Sequence, residues 1–165
     1  MFNHVSMFDQ FMIGAYVPHY ITAVAAIEVF KYPIWGFIIK KYGVIPIIRQ
    51  KIRKAIGSLN LAEEAIKNGT SFLISPEGTR TLTGEIGPFK KGPFHLAKNT
   101  NATIVPLALE GGFRAKKKSD WRIQPGILKI VFGEPIKSSH YKSLNISDLQ
   151  RLVLNRILEL KKESL

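Results

Sequence analysis

The chain has 165 residues, 24 Lys and Arg against 12 Asp and Glu, 45% apolar residues and no cysteine. Such a length and apolar content suit a folded core and exclude a disordered basic tail, while the lack of Cys excludes disulfides, thiol nucleophiles and Cys-ligated zinc. A formal net charge of +12 directs attention to anionic partners: nucleic acid, an acidic membrane face or a phosphorylated compound.

Taken in chain order, residues 11–27 carry no formal charge. They fall short of the roughly 20 residues of a membrane span and are broken by Gly14, Pro18 and His19. They read instead as a helix after Ser6, a break at Pro18 and a strand over 21–26 covered on both faces. No basic region precedes them, so they do not read as a secretory signal. A short helix over 34–42 stops at Gly43, and a short strand with Pro46 follows over 44–48. Asn60 is placed as the cap of a helix, with Glu63 at the capping-box position and Gly69 beyond its end. An apolar strand over 71–75 runs into a turn-rich loop. Then come a helix over 90–99, a buried strand over 103–109, another over 127–132, and a closing amphipathic helix over 147–162. In that last helix Leu149, Leu152, Val153, Ile157 and Leu160 share a face. Strands separated by helices predict one α/β or mixed α+β domain over 1–165, a mostly parallel sheet flanked by helices.

Two constellations carry chemistry. In Asn3-His4-Val5-Ser6-Met7-Phe8-Asp9 a histidine precedes an aspartate by five residues at the start of a helix. A carboxylate on one imidazole nitrogen leaves the other free as a general base; the plainer reading is a first-turn Asp favoured by the helix dipole. Ser75-Pro76-Glu77-Gly78-Thr79-Arg80-Thr81 follows a strand, where open α/β sheets bind ligands. Gly78 permits close backbone approach, Thr79 offers a hydroxyl, and Arg80 a planar fork for phosphate oxygens; the plainer reading is a polar turn with Arg80 paired to Glu77.

Together these blocks resemble the paired signature of the glycerophospholipid acyltransferase family, whose best-known members are the 1-acyl-glycerol-3-phosphate acyltransferases. The family's Asn-His-x4-Asp matches residues 3–9, and its Phe-Pro-Glu-Gly-Thr-Arg-Ser matches outright at 76–80, with Ser75 for Phe and Thr81 for Ser. An Ile-Pro-Ile-Asp-Arg-like block reads Ile45-Pro46-Ile47-Ile48-Arg49, matching at Arg49 but with Ile48 for Asp. Ile104-Val105-Pro106-Leu107 with Gly111 is similar to the fourth block, and Phe89-Lys90-Lys91-Gly92 to the spacer. Ile27 stands where members often carry a basic residue. The resemblance covers 3–112.

The resemblance implies transfer of a fatty acyl group from acyl-CoA or acyl-carrier protein to the free hydroxyl of a lysophospholipid, in the first instance 1-acyl-glycerol-3-phosphate. His4 would act as base and Asp9 as its orienting partner. Arg80, with Glu77, Gly78 and Thr79, would hold the acceptor's phosphate or glycerol, with Arg49 a second candidate, and early apolar residues would line an acyl groove. No metal is called for, and no cofactor beyond the co-substrate. In the family an apolar strand and a membrane-associated helical segment precede the histidine block, so the resemblance implies an N-terminally incomplete domain. Residues so near a terminus usually fray, so His4 needs partners from elsewhere to hold its rotamer.

Three basic runs, Lys40 to Lys54, Lys90-Lys91 and Arg114 to Lys118, suit an anionic bilayer, and Trp35, Phe37 and Tyr42 beside the first suit its interface. The expected location is membrane-associated, on the cytoplasmic face. The alternatives are an acyltransferase relative acting on another lysophospholipid, a non-catalytic lipid-binding relative, or a basic nucleic-acid module. The last is weakened because the aromatics lie in apolar runs and are not interleaved with Lys and Arg, so no nucleic acid is expected.

Overall fold

A computed structural model of the chain describes residues 1–48 and 52–163. The described chain divides into two compact units, Met1–Pro18 with Ser75–Leu165, and His19–Ile74.

The unit of residues 19–74 is built on a parallel three-stranded sheet. Strand β1 (Ile21–Ala26) lies between β2 (Ile45–Ile47) and β3 (Ser71–Leu73), in register at Val24 with Ile45 and Ile21 with Ser71. Only Thr22 of β1 is fully buried, so the expected strand is present but is less enclosed than its apolar run suggested. Helix α1 (Asp9–Tyr16) precedes β1 in the chain, and α2 (Pro33–Lys41) and α3 (Ile52–Lys67) follow it. Gly43, at φ +71°, ends α2, and Gly69, at φ +87°, follows α3.

Asn60 caps nothing: it sits exposed inside α3, which begins eight residues earlier. The helix extends through Gly57 and Ser58, whose hydroxyl donates to Pro46 O at 2.7 Å. The predicted capping box there is therefore a chance spacing of Asn60 and Glu63 within a continuous helix.

The unit of Met1–Pro18 with Ser75–Leu165 holds α1, α4 (Gly92–Thr100), the strand β4 (Leu107–Glu110), the one-turn helices α5 (Gly112–Ala115) and α6 (Ser138–Tyr141), the strand β5 (Lys129–Phe132), and α7 (Ile146–Glu163). Strands β4 and β5 pair antiparallel, Leu107 opposite Phe132 and Leu109 opposite Ile130. The strand expected over 103–109 is divided. Pro106 has no N–H to give a ladder, so Ile104 makes a separate antiparallel bridge to Ile136 and the strand proper begins at Leu107.

The core of this unit joins Phe94 and Ala97 of α4, Ile104, Ala108, Ile136 and Tyr141 to Leu149, Val153 and Ile157 of α7, with Leu152 and Leu160 packed beside them. All five apolar residues assigned to the closing helix thus face the core. Asn145 supplies its cap: Asp148 N–H donates to Asn145 Oδ1 at 2.9 Å, and Asn145 Nδ2 donates back to Asp148 at 2.7 Å. Among the described residues no helix is long and apolar enough to cross a membrane.

Candidate active site

His4 Nδ1 lies 2.7 Å from Asp9 Oδ2. Asp9 is fully buried in the first turn of α1, whereas the His4 side chain is 23% exposed. The chain between them turns back on the carboxylate, so that Val5 N–H donates to Oδ2 at 2.8 Å and Ser6 N–H to Oδ1 at 3.0 Å. Every group facing Asp9 is a donor, and a carboxylate accepts at both oxygens. The Nδ1 hydrogen therefore points to Asp9, and the Nε2 lone pair is left for an incoming proton.

His4 is not frayed. Phe2 forms a parallel bridge to Leu107 of β4, and Leu107 N–H donates to Met1 O at 2.8 Å. The buried Asn3 amide acts as a strand edge in miniature: its Nδ2 donates to Leu109 O at 3.0 Å, and its Oδ1 accepts Leu109 N–H at 2.8 Å. The sequence motif begins at Asn3 but assigns it no role, although a primary amide beside the histidine can satisfy both the donor and the acceptor of one backbone residue. The Phe2 ring meets the imidazole edge to face at 5.6 Å.

The second block closes on the same histidine. His4 N–H donates to Glu77 Oε1 at 2.7 Å, Gly87 N–H donates to Glu77 Oε2 at 2.7 Å, and Thr81 N–H donates to His4 O at 2.9 Å. Glu77 is only 5% exposed. Burial pushes its carboxyl above the ordinary 4.5, and the N–H groups of His4 and Gly87 pull the other way. The surface pairing of Glu77 with Arg80 is thereby excluded, since both Glu77 oxygens are taken by backbone.

Gly78, at φ +70°, turns the chain, and Lys118 Nζ donates to the Thr79 hydroxyl at 2.9 Å. Arg80 is half-buried and has no hydrogen bond or ion pair among the described residues, so its guanidinium is available to a ligand. The Ser75 hydroxyl is buried without a partner among the described residues. Arg49 lies outside the described residues.

The fourth block braces the turn from below. Gly111 has φ +79°, and a Cβ there would fall 1.9 Å from Ile127 O. A Cβ on Gly112 would fall 3.0 Å from Val5 Cγ2 and 3.1 Å from Ser6 Cβ. The two glycines thus let α5 pass directly against the His4–Asp9 turn. His4, Asp9, Glu77 and Thr79 to Thr81 all belong to one compact unit. Among the described residues no three His, Asp or Glu side chains cluster to hold a metal ion.

A buried acid orienting a histidine, beside a turn whose arginine has no partner among the described residues, is an arrangement chemically capable of proton abstraction next to an anion. The family model described as Acyltransferase matches residues 1–110, and the chain belongs to that family. It is 32% identical to a 1-acyl-sn-glycerol-3-phosphate acyltransferase of Cocos nucifera over 92% of this chain and 49% of that protein. With the enzyme of the same name from Saccharomyces cerevisiae it is 29% identical over 98% of this chain and 54% of that one. Among solved structures, the 1-acyl-sn-glycerophosphate (LPA) acyltransferase PlsC of Thermotoga maritima superposes with a TM-score of 0.85 at 25% identity, over 99% of this chain and 64% of that one. The chain spans about half the length of the curated relatives it matches.

Proposed function

We propose that this chain carries the catalytic part of an acyltransferase that moves a fatty acyl group from a thioester, acyl-CoA or acyl-carrier protein, to the free hydroxyl of 1-acyl-glycerol-3-phosphate. The observation that carries this reading is the 2.7 Å bond from His4 Nδ1 to a fully buried Asp9 whose oxygens meet only donors. His4 Nε2 takes the proton of the acceptor hydroxyl as its oxygen bonds to the thioester carbonyl carbon. The carbon–sulfur bond then breaks, and the thiolate leaves with the proton held on the imidazolium, so the balance needs no acyl-enzyme and no cofactor beyond the co-substrate. Glu77 and Thr81 hold the His4 backbone, Arg80 faces the acceptor's phosphate with Gly78 and Thr79 shaping the turn, and Arg49 is a further candidate for that anion.

The same reading places the protein at an anionic membrane surface on the cytoplasmic side. In its support, Ile34, Phe37 and Ile38 of α2 are exposed on one face, and Lys41 lies over the Phe37 ring at 5.7 Å to its centroid.

His4→Ala is expected to lower kcat for transfer from acyl-CoA to 1-acyl-glycerol-3-phosphate about a hundredfold to ten-thousandfold. Asp9→Asn should also be impaired, because its NH2 must face a donor. Turnover by His4→Ala equal to the parent's would sink the assignment.

A further inference from the structure

The turn at Gly78 and Thr79 is flanked by two lysines, Lys90 of the Phe-Lys-x-Gly spacer and Lys118, which lies outside every motif block. Lys118 Nζ reaches the Thr79 hydroxyl at 2.9 Å from a segment beyond the residues the family model covers. On the other side, the Lys90 stem lies 3.7 Å from where a Cβ on Gly78 would be, and Lys90 N–H is tied to Pro76 O at 2.7 Å. Neither lysine has a carboxylate partner among the described residues, and Arg80, which precedes both in the chain, has none there either. The acid inside the turn, Glu77, is committed to the N–H groups of His4 and Gly87, and Asp120, two residues from Lys118, pairs with Arg122 at 2.9 Å. Cations gathered on one turn without counter-ions repel one another in the free protein and attract an anion to it. A single arginine offsets one negative charge, whereas a phosphate monoester near neutral pH carries nearly two.

We propose that Lys118, assisted by Lys90, completes a phosphate-monoester site with Arg80, Lys118 being the cation that favours a doubly charged phosphate over a phosphodiester head group. This rests on the transferase reading, and the shared chemistry is a phosphate monoester, carried by both the lysophosphatidate acceptor and the ribose of CoA. Lys118 is a binding residue and plays no part in the proton transfer by His4. The Thr79 hydroxyl holds its ammonium group over the turn.

The test compares the parent with Lys118→Ala and Lys118→Arg in two measurements. Steady-state rates are taken with 1-acyl-glycerol-3-phosphate and acyl-CoA varied separately. Binding of a short-chain 1-acyl-glycerol-3-phosphate and of CoA is titrated calorimetrically without turnover. Lys118→Ala is expected to raise the acceptor's KM and Kd about tenfold, the scale of one charge-assisted hydrogen bond. Its kcat should stay within about twofold of the parent's, with Lys118→Arg restoring much of the loss. An effect confined to CoA would support the anion site and assign it to the donor's ribose phosphate. Unchanged constants for both ligands would overturn it. Because Lys118 is exposed, thermal melts of the variants should match the parent's. A parent that binds acceptor more tightly than Lys118→Ala yet shows no turnover would sink the transferase reading while leaving the anion site standing.

Discussion

At the scale of single residues, Glu77 connects two blocks that lie far apart in the sequence. Its carboxylate is buried, accepts two backbone N–H groups and thereby holds His4 to the turn that contains Arg80. A glutamine there keeps the shape but must turn its NH2 toward either His4 N–H or Gly87 N–H, a donor against a donor. Glu77→Gln is therefore expected to cost about 1 to 3 kcal/mol of stability and to lower kcat more than it raises the acceptor's KM, as steady-state kinetics beside a thermal melt would show. The pH dependence follows from the raised carboxyl. In the window from 4.5 up to that raised value the folded chain binds this proton more tightly than the unfolded chain does, so Glu77's contribution to stability is full below 4.5 and declines as pH rises through the window. Glu77→Gln should flatten that part of the curve of melting temperature against pH. Much of this was readable beforehand. The spacing of His4 and Asp9 and the match at 76–80 singled out the residues that the fold brings together, because short local patterns survive in sequence. That Glu77 faces backbone and not substrate was not readable, since its partners His4 and Gly87 are brought there only by the fold.

At the scale of elements, the long amphipathic helix α7 was legible because its apolar period is long and regular, whereas α3 was misread because Asn60 and Glu63 imitate a helix start. Strand 103–109 was half right for a local reason, the missing N–H of Pro106. The two adjacent glycines before α5 predict different losses. Gly111→Ala puts a Cβ 1.9 Å from Ile127 O at a positive φ, so the backbone must move, and the melting temperature should fall by several degrees, on the order of 2 kcal/mol. Gly112→Ala meets side-chain carbon of Val5 and Ser6 at about 3 Å, which displaces the turn that holds Asp9. Its expected signature is a drop in kcat of about tenfold or more with a smaller change in melting temperature. A Gly112→Ala variant of parental activity would show that the turn can yield without moving the base.

At the scale of the whole molecule, the excess of 12 positive charges and the exposed face of α2 lead to one measurable property. Ile34, Phe37 and Ile38 follow helical spacing, yet they are exposed, while Gly36 and Ile39 are buried in their place. The sequence sets Phe37, with Trp35 and Tyr42, beside a basic run as suited to an interface; the structure adds Ile34 and Ile38 to the exposed face, with Lys40 and Lys41 at its end. Near an anionic surface each lysine adds about 1 kcal/mol. Sedimentation with vesicles containing acidic lipid should therefore capture the protein at low salt and release it as salt rises. Phe37→Asp should weaken capture even at low salt; salt-independent binding, or an unaffected Phe37→Asp, would count against α2 as the contact.

The amide that fastens the histidine segment has a bearing on how the protein is made. Asn3 grips Leu109 across 106 positions of chain. At roughly 5 to 20 residues per second, the ribosome delivers that strand about 5 to 20 seconds after the segment it must hold. During that interval the His4–Asp9 pair can close as a local turn, but Glu77 and Thr81 reach it only after about 4 to 15 seconds and Leu109 last, so the histidine turn precedes every contact that fixes it to the rest of its unit.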